Sequence, residues 1–374
     1  MKQILFVFLL LIIVSCSHNN TTSPNNSIEI INLNTILNVK EWDISKYEYS
    51  GHVIKLETND DCLLYKISKI FFSKNRIYVK TATPQIFIFD FEGKYINKIK
   101  LGLGPDEIAN MKDACFDKEK NELIIYQEPE LKFYTPDGFF LKQQNSPYYF
   151  KVIYSIDDGY ILRSSVGYMN CKESPNASML YVDKDWNFIS AFLPVSKSVI
   201  YTNKGVSYNN TNDDILILPD NHKDTIYFFD KNTLTPKYYL DYSTQKLNVS
   251  EMKSVGQYYK ELGKKFEFTN FLENSTHEFF QIGNPSPISI FRDKESKIMK
   301  AGKFERVEET PFIARPMAVY DDYFVCVQEF IDLDFKYTKS HVFSPEDLAK
   351  INNQKEDDNP LLIFFKLKPF EDEK

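Results

Sequence analysis

A strand–turn–strand unit recurs along this chain roughly every 45 to 50 residues, and it constrains the fold more than any other feature. Each copy has two runs rich in Ile, Phe, Tyr and Leu around a short polar turn, the pattern of a β-hairpin. The copies are Ile88–Ile96, Phe133–Leu141, Leu180–Ile189 and Ile226–Leu240. A second series of turns carries Asn or Asp, residues that tolerate turn conformations. Its members are Lys74–Val79, Lys120–Ile125, Asp157–Leu162, Asn212–Ile217, Asp293–Ile298 and Asp321–Val325.

Two hairpin turns in each unit imply four antiparallel strands, and four strands in about 45 residues make a β-propeller blade. The composition agrees, since the chain has 31 Phe and 24 Tyr but only 12 Gly, and aromatic residues favour strands. The sequence therefore predicts an all-β fold, a six-bladed β-propeller of four-stranded antiparallel blades. The apolar strands at 53–57 and 361–366 are expected to pair in the last blade and so remove an open sheet edge. Which of the two lies outermost is left open.

Two segments interrupt the repeat with helical patterns. Residues 250–266 begin with Ser250 as a cap, have Glu251 early and carry lysines late, which is typical of a helix. Residues 344–353 begin Ser-Pro-Glu-Asp, and proline is well tolerated at the first helical position. Both are predicted to be short helical insertions.

The N-terminus has the order of parts of a secretory signal peptide. Lys2 supplies a positive charge, Ile4–Val14 is an unbroken apolar run, and Ser15 precedes Cys16. The run is shorter than the about 20 residues that a transmembrane helix needs. Residues 13–16 resemble a bacterial lipobox, although an ordinary signal peptide with a coincidental cysteine is the alternative. We predict cleavage after residue 15, a lipid on Cys16, a flexible tether over 16–40 and one propeller domain over 41–374.

The charge of the chain narrows the set of expected partners. The formal net charge is −7, and no basic stripe is visible, so nucleic acid is not an expected partner. We expect a monomer.

The cysteines beyond Cys16 permit zero to two disulfides in an oxidising compartment, and free thiols are favoured because two of them lie in strand patterns. These cysteines are Cys62, Cys115, Cys171 and Cys326.

Several short segments, taken in order, resemble the six-bladed β-propeller lipoproteins of Bacteroides-like bacteria, which are related to NHL-type propellers. The resemblance covers nearly the whole mature chain and rests on Val53–Thr58, Gly102–Glu107, Asp224–Tyr227, Pro236–Tyr238 and Asn359–Ile363. It implies a six-bladed propeller on a lipid anchor. The family pattern continues Gly-Pro-Gly-Glu-Tyr, whereas Asp-Glu-Ile follows Pro105 here. The glycine and the aromatic residue of the family pattern are therefore absent from this loop.

Motifs that carry chemistry are scarce. Gly102 and Gly104 lack the third glycine and the following helix of a nucleotide site. The five histidines occur singly rather than in the close pairs that build zinc sites. The paired acids of the turns lack the alternating ligand spacing of a calcium loop. No cofactor and no metal are expected.

Propeller geometry indicates where a site would lie. Connections between blades and the middle loop of each blade share one face, and four charged residues are predicted to lie there. They are Asp106, Glu107, Arg163 and Arg315. Two acids and two arginines near a channel mouth suit a polar ligand such as a glycan or peptide, although each can instead be a solvated or structural charge. The aromatic run at 148–150 is either a stacking platform or core packing, with core packing favoured.

Two functions remain open at this stage. The first is a membrane-anchored binding or scaffolding propeller outside the cytoplasm, with a protein, glycan or peptide ligand. The second is a propeller-type hydrolase or lyase with Glu107 as general base. Ser17 follows the predicted lipid site and no acidic residues follow in 18–23. We therefore expect an outer-membrane anchor facing the periplasm, with surface display as the alternative.

Overall fold

The computed structural model describes most of the chain downstream of residue 27. The described residues are 28–34, 36, 46–164, 169–195, 208–211, 214–218, 224–230, 232–242, 247, 252–262, 264–283, 287–303, 315–330 and 340–371. The predicted signal peptide, Cys16 and most of the predicted tether lie outside them.

The described residues form twenty-five strands and two short helices. Near the N-terminus are β1 (Glu29–Asn32) and β2 (Glu48–Lys55). The first two blades contain β3 (Ile67–Phe72), β4 (Ile77–Thr81), β5 (Ile86–Phe89), β6 (Tyr95–Lys98), β7 (Asp113–Asp117), β8 (Glu122–Gln127), β9 (Glu130–Tyr134) and β10 (Phe140–Asn145). The next two contain β11 (Val152–Ile156), β12 (Gly159–Arg163), β13 (Ala177–Asp183), β14 (Phe188–Pro194), β15 (Tyr208–Thr211), β16 (Asp214–Ile217), β17 (Thr225–Asp230) and β18 (Thr233–Asp241). The last two contain β19 (Glu267–Glu273), β20 (His277–Gly283), β21 (Ile288–Asp293), β22 (Met299–Lys303), β23 (Pro316–Tyr320), β24 (Tyr323–Gln328) and β25 (Leu361–Leu367).

These strands confirm the predicted six-bladed propeller of four-stranded antiparallel blades. Blades 1, 2, 3 and 5 are the consecutive meanders β3–β6, β7–β10, β11–β14 and β19–β22. Blade 4 is β15–β18 with β1 added at its outer edge, and blade 6 is β23, β24, β25 and β2. First strands of neighbouring blades contact one another: β3 contacts β7 and β23, β7 contacts β11, and β19 contacts β15 and β23. The first strand of each blade is therefore innermost, around the central axis.

Alternation along each strand builds the core. In β8, Ile124 packs towards blade 3, whereas Leu123 and Ile125 pack towards blade 1. The same division recurs between every pair of adjacent blades. Because successive side chains of a strand point to opposite faces, each blade is apolar on both faces. This explains why the middle strands are continuous apolar runs rather than alternating ones.

The ring closes through two strands that are far apart in sequence. β2 pairs antiparallel with β25, with Val53 opposite Ile363, and β2 is the outermost strand of blade 6. The buried Asn359 secures the closure, since its Oδ1 accepts from Leu64 N at 2.8 Å and its Nδ2 donates to Cys62 O at 2.8 Å. The order of strands that the sequence leaves open is thereby assigned.

Part of the segment predicted to be a tether is a strand. β1 lies within residues 16–40 and pairs parallel with β18, Glu29 opposite Tyr238. Ile31 is buried on blade 4, and the Glu29 carboxylate forms an ion pair with Arg292 of blade 5. Because Ile31 covers an apolar surface of blade 4, the propeller begins before residue 41.

Helices α1 (Val255–Leu262) and α2 (Pro345–Asn352) lie where the sequence predicts helical insertions. Ser344 caps α2, its Oγ accepting from Asp347 N at 3.1 Å. None of the helices in the described part of the chain is both long enough and apolar enough to span a bilayer. The four cysteines of the propeller are free thiols, and all are buried.

Candidate functional site

A central cavity of about 1950 Å³ runs along the propeller axis. Its walls are the inner strands β3, β7, β11, β19 and β23, together with the loops at their ends. All inner strands run in the same direction, because each blade is an up-and-down meander that starts at the axis. Their first residues therefore lie at one end of the cavity, together with the connections between blades. We call this end the inter-blade mouth.

An ion pair joins three blades inside the cavity. Lys69 Nζ of β3 lies 3.0 Å from both carboxylate oxygens of Asp113 on β7. The same carboxylate accepts from Ile153 N of β11 at 3.1 Å. Lys69 also donates to Ala114 O and lies over the ring of Tyr154. Asp113 is almost fully buried, and a buried carboxylate needs such partners, so this pair holds the inner strands in register.

Cationic residues outnumber acidic residues in the lining of the cavity. Among the described residues that line it, eight are cationic and two are acidic. The cationic residues are Lys66, Lys69, Lys74, Lys80, Lys112, Lys118, Lys151 and Arg315, and the acidic residues are Asp113 and Glu329. Because the Asp113 carboxylate is held by Lys69, the lining carries a surplus of positive charge in a chain whose net charge is negative.

Two of these lysines have pKa values below the usual range. Burial lowers the pKa of Lys80 most, and the neighbouring Lys69 ammonium lowers it further, against the opposing effect of Asp113. Partial burial lowers the pKa of Lys151, and so does the charge of Lys112, while Glu128 opposes both. An ammonium beside another ammonium is less stable as a cation. An anion bound between them would relieve that repulsion.

Asp106 and Glu107 lie in the loop between β6 and β7, outside the cavity lining. Glu107 Oε2 accepts from Gly104 N at 2.8 Å, so the carboxylate caps its own loop. The buried Lys132 ammonium donates to the carbonyl oxygens of Gly104, Pro105 and Glu107 at 3.3, 3.1 and 2.6 Å. Asp106 is exposed, and its carbonyl accepts from Tyr134 at 3.3 Å. These hydrogen bonds hold the loop against blade 2, away from the axis.

Arg163 is almost fully buried at the end of β12. Its Nη1 donates to the carbonyl of Leu218, so the side chain links blade 3 to the loop that follows β16. Arg315, directly before β23, is exposed and lines the cavity. Of the four residues predicted for the site, the structure places only Arg315 on the cavity, and it does not bring the four together.

Sequence reasoning did not single out Lys66, Lys112 and Lys151. Their signal is positional, since each directly precedes an inner strand, and it can be recognised only once the strand boundaries are known. The aromatic run at 148–150 contributes to the core, since Phe150 stacks on Tyr126 with ring centroids 3.8 Å apart. Within the described ranges, no three His, Cys, Asp or Glu side chains are grouped so that they could hold a metal ion.

Comparison with known proteins supports the fold. Residues 28–366 match the sequence profile of the family described as Domain of unknown function (DUF4934). The crystal structure of a Bacteroides fragilis protein described as exported is similar, with a TM-score of 0.72 at 15% sequence identity. The match covers 91% of this chain and 100% of that chain. At this identity, the likeness shows the fold alone.

Two other solved structures are less similar. The N-terminal domain of Nup159 matches with a TM-score of 0.41 and 8% identity, over 91% of this chain and 100% of that chain. The β-propeller domain of Cps50 (Swd1) from Myceliophteria thermophila matches with a TM-score of 0.39 and 8% identity, over 68% and 90%. Both scores are too low to support an argument. No curated protein matches the sequence significantly.

Proposed function

Because this chain belongs to the family described as Domain of unknown function (DUF4934), we propose its function from the geometry of the cavity: it is a binding propeller whose ligand enters the inter-blade mouth. The observation that carries this proposal is the open cavity of about 1950 Å³ on the axis. Concave sites with a few convergent polar groups are the usual form of ligand sites. Arg315 and Gln281 supply such groups beside the apolar Met317 and Phe330.

The proposal includes a location outside the cytoplasm. It is supported by the secretory pattern of residues 1–15 and by the similar Bacteroides fragilis protein that is described as exported. We further propose that Cys16 carries a lipid, that the protein is a monomer on the periplasmic side of the outer membrane, and that it is related to NHL-type propellers. Ligands in that compartment include glycans, peptides and partner proteins.

The alternative of a hydrolase or lyase is supported less well by the site. Its predicted general base, Glu107, accepts a hydrogen bond from its own loop and lies away from the cavity. Asp113, which does line the cavity, is held by Lys69. A general base must reach the proton it abstracts, so neither carboxylate favours the enzymatic reading over binding.

A bulky substitution inside the channel tests the binding proposal. Met317 is half-buried on β23 and lines the cavity, so Met317→Trp should narrow the channel. Ile189→Trp is the matched control, because Ile189 is exposed on the outer strand β14. Full-length protein in detergent would be applied to glycan and peptide arrays. We expect the signals of the wild-type protein to fall about tenfold or more in Met317→Trp, since a displaced hot-spot contact costs about 1.4 kcal/mol or more.

The control variant should keep the wild-type signals. Equal signals from Met317→Trp and the wild-type protein, with both variants folded by thermal melting, would mean that any ligand binds outside the channel.

A further inference from the structure

Four of the six inner strands begin directly after a cationic residue. Lys66 precedes β3, Lys112 precedes β7, Lys151 precedes β11 and Arg315 precedes β23. All four line the cavity. We call these four residues the cation ring. They occupy the same position in four blades, so the propeller repeats one charge at corresponding points around the axis.

The cation ring lies at the inter-blade mouth, because the inner strands all start at that end. Lys80, near the end of β4, lines the cavity at the same end and adds a fifth cation. Two acidic residues among the described residues that line the cavity also lie at this end: Asp113, the first residue of β7, which is paired with Lys69, and Glu329, directly after β24. Glu128 faces Lys151 from outside the lining. The described part of the mouth therefore has a clear positive surplus.

This surplus runs against the charge of the whole protein. The chain has 52 acidic residues and 45 Lys and Arg residues, so a random sample of its surface is slightly negative. Within the ring, the charge of Lys112 helps to lower the pKa of Lys151, so these two residues lie close enough to interact. A concave site lined with one sign of charge focuses its field and concentrates ions of the opposite sign.

We propose that the cation ring selects ligands that carry two or more oxyanionic groups, with the anionic end held at the inter-blade mouth. The proposal rests on the proposed function, in which the ligand enters the channel. Carboxylates, sulfates and phosphates share the required chemistry, because each presents acceptor oxygens to ammonium and guanidinium groups.

Calorimetric titration of the full-length protein in detergent tests this proposal. The anionic probes are a hexamer of galacturonic acid for carboxylates, a heparin-derived hexasaccharide for sulfates, and inorganic tripolyphosphate for phosphates. The fully methyl-esterified galacturonic hexamer is the neutral probe. The test variant carries Lys112→Gln, Lys151→Gln and Arg315→Gln. The control variant carries Lys94→Gln, Lys100→Gln and Lys260→Gln, which remove the same charge from exposed residues outside the cavity lining.

We expect at least one anionic probe to bind the wild-type protein and the neutral probe to bind at least about tenfold more weakly. The test variant should lose about tenfold or more in affinity, because each exposed charge contact contributes a small factor and three are removed. The control variant should stay within about twofold of the wild-type affinity. Binding should also weaken with added salt, since exposed charges are screened. The probe that binds tightest identifies the oxyanion.

The outcomes separate this inference from the proposed function. If a neutral ligand binds, Met317→Trp abolishes its binding and the cation ring has no effect, then the channel binds ligands without charge selection and the inference is wrong. If an anionic probe binds but neither Met317→Trp nor the test variant weakens it, both proposals fail. If no anionic probe binds the wild-type protein, the inference also fails. Unchanged melting temperatures would show that the test variant is folded.

Discussion

His277 is a fully buried imidazole at the start of β20, opposite Asp293 at the end of β21. Its Nε2 lies 3.6 Å from Asp293 Oδ2, and its ring packs against Phe370 with centroids 4.8 Å apart. Asp293 in turn accepts from the backbone N–H of Phe370 at 3.2 Å. Burial is the main cause that lowers the pKa of His277 to about 4. One residue thus couples blade 5 to the C-terminal segment through a neutral side chain.

The stability of the protein should therefore fall in mild acid. The unfolded imidazole has its ordinary pKa of about 6.5, so below that pH the unfolded chain binds a proton that the folded chain does not, until the pH approaches about 4. As the pH falls from 7 to 4.5, this difference in proton binding by His277 should lower the free energy of unfolding by about 2.5 kcal/mol. In urea unfolding over the same pH range, His277→Asn should lose less unfolding free energy than the wild-type protein, by about this amount. The exposed His341→Asn is the control, and an equal loss in all three proteins would contradict the prediction.

At the scale of the element, the turn between β5 and β6 shows how local geometry and closure depend on each other. Gly93 in this turn has a φ of +84°, and its carbonyl accepts from Glu57 N at 2.8 Å. A Cβ at this position would lie 2.1 Å from the backbone oxygen of Lys55, at the end of β2. The turn of blade 1 can therefore contact the closing strand only if residue 93 has no side chain.

Gly93→Ala should destabilise the protein by about 2–4 kcal/mol, because it combines a strained backbone conformation with a clash against backbone atoms. Gly256→Ala is the matched control, since a Cβ there would meet its nearest neighbour only at 4.0 Å within α1. That variant should be neutral or more stable by up to about 1 kcal/mol. Chemical unfolding of both variants would measure the difference. Equal stability of the two would mean that the turn does not constrain the closure.

At the scale of the whole molecule, the chain enters the described propeller at the outer edge of blade 4 and not at the axis. β1 covers this edge through its pairing with β18, and Glu29 connects it to Arg292 of blade 5. The ring itself closes elsewhere, between β2 and β25. The attachment of the predicted tether and the closure of the propeller are therefore separate features, so changes near residue 16 should not disturb the channel.

Replacing Cys16 tests the proposed anchor. Cys16→Ala should abolish palmitate labelling and leave the signal peptide uncleaved, because the lipid is predicted to be attached to the thiol of residue 16 and cleavage to follow lipid attachment. Ser17→Ala, which keeps the thiol, should remain in the membrane fraction and be labelled. Palmitate labelling of Cys16→Ala equal to that of Ser17→Ala would contradict the lipid anchor.

The architecture could be predicted from the sequence, because strands and hairpin turns depend on residues that are close together in the chain. The turns at Asp90–Gly93 and Thr135–Gly138 end the strands that precede them, and the spacing of the hairpins predicts four strands in each blade. The strand at Glu29–Asn32 was missed because it is short and is stabilised by pairing with β18 rather than by a pattern of its own.

The set of residues that line the cavity could not be predicted in the same way, because it depends on how distant segments pack in the closed ring. Glu107 and Arg163 have the residue types of a binding site, yet one caps its own loop and the other is buried between blades. In the sequence, no pattern distinguishes Lys112 and Lys151 from other surface lysines. They form part of a positively charged mouth only because inner strands that are distant in sequence begin at the same end of one axis. Strand formation depends on near neighbours in the chain, whereas the electrostatic field at the mouth is a sum over residues that only the closed ring brings together.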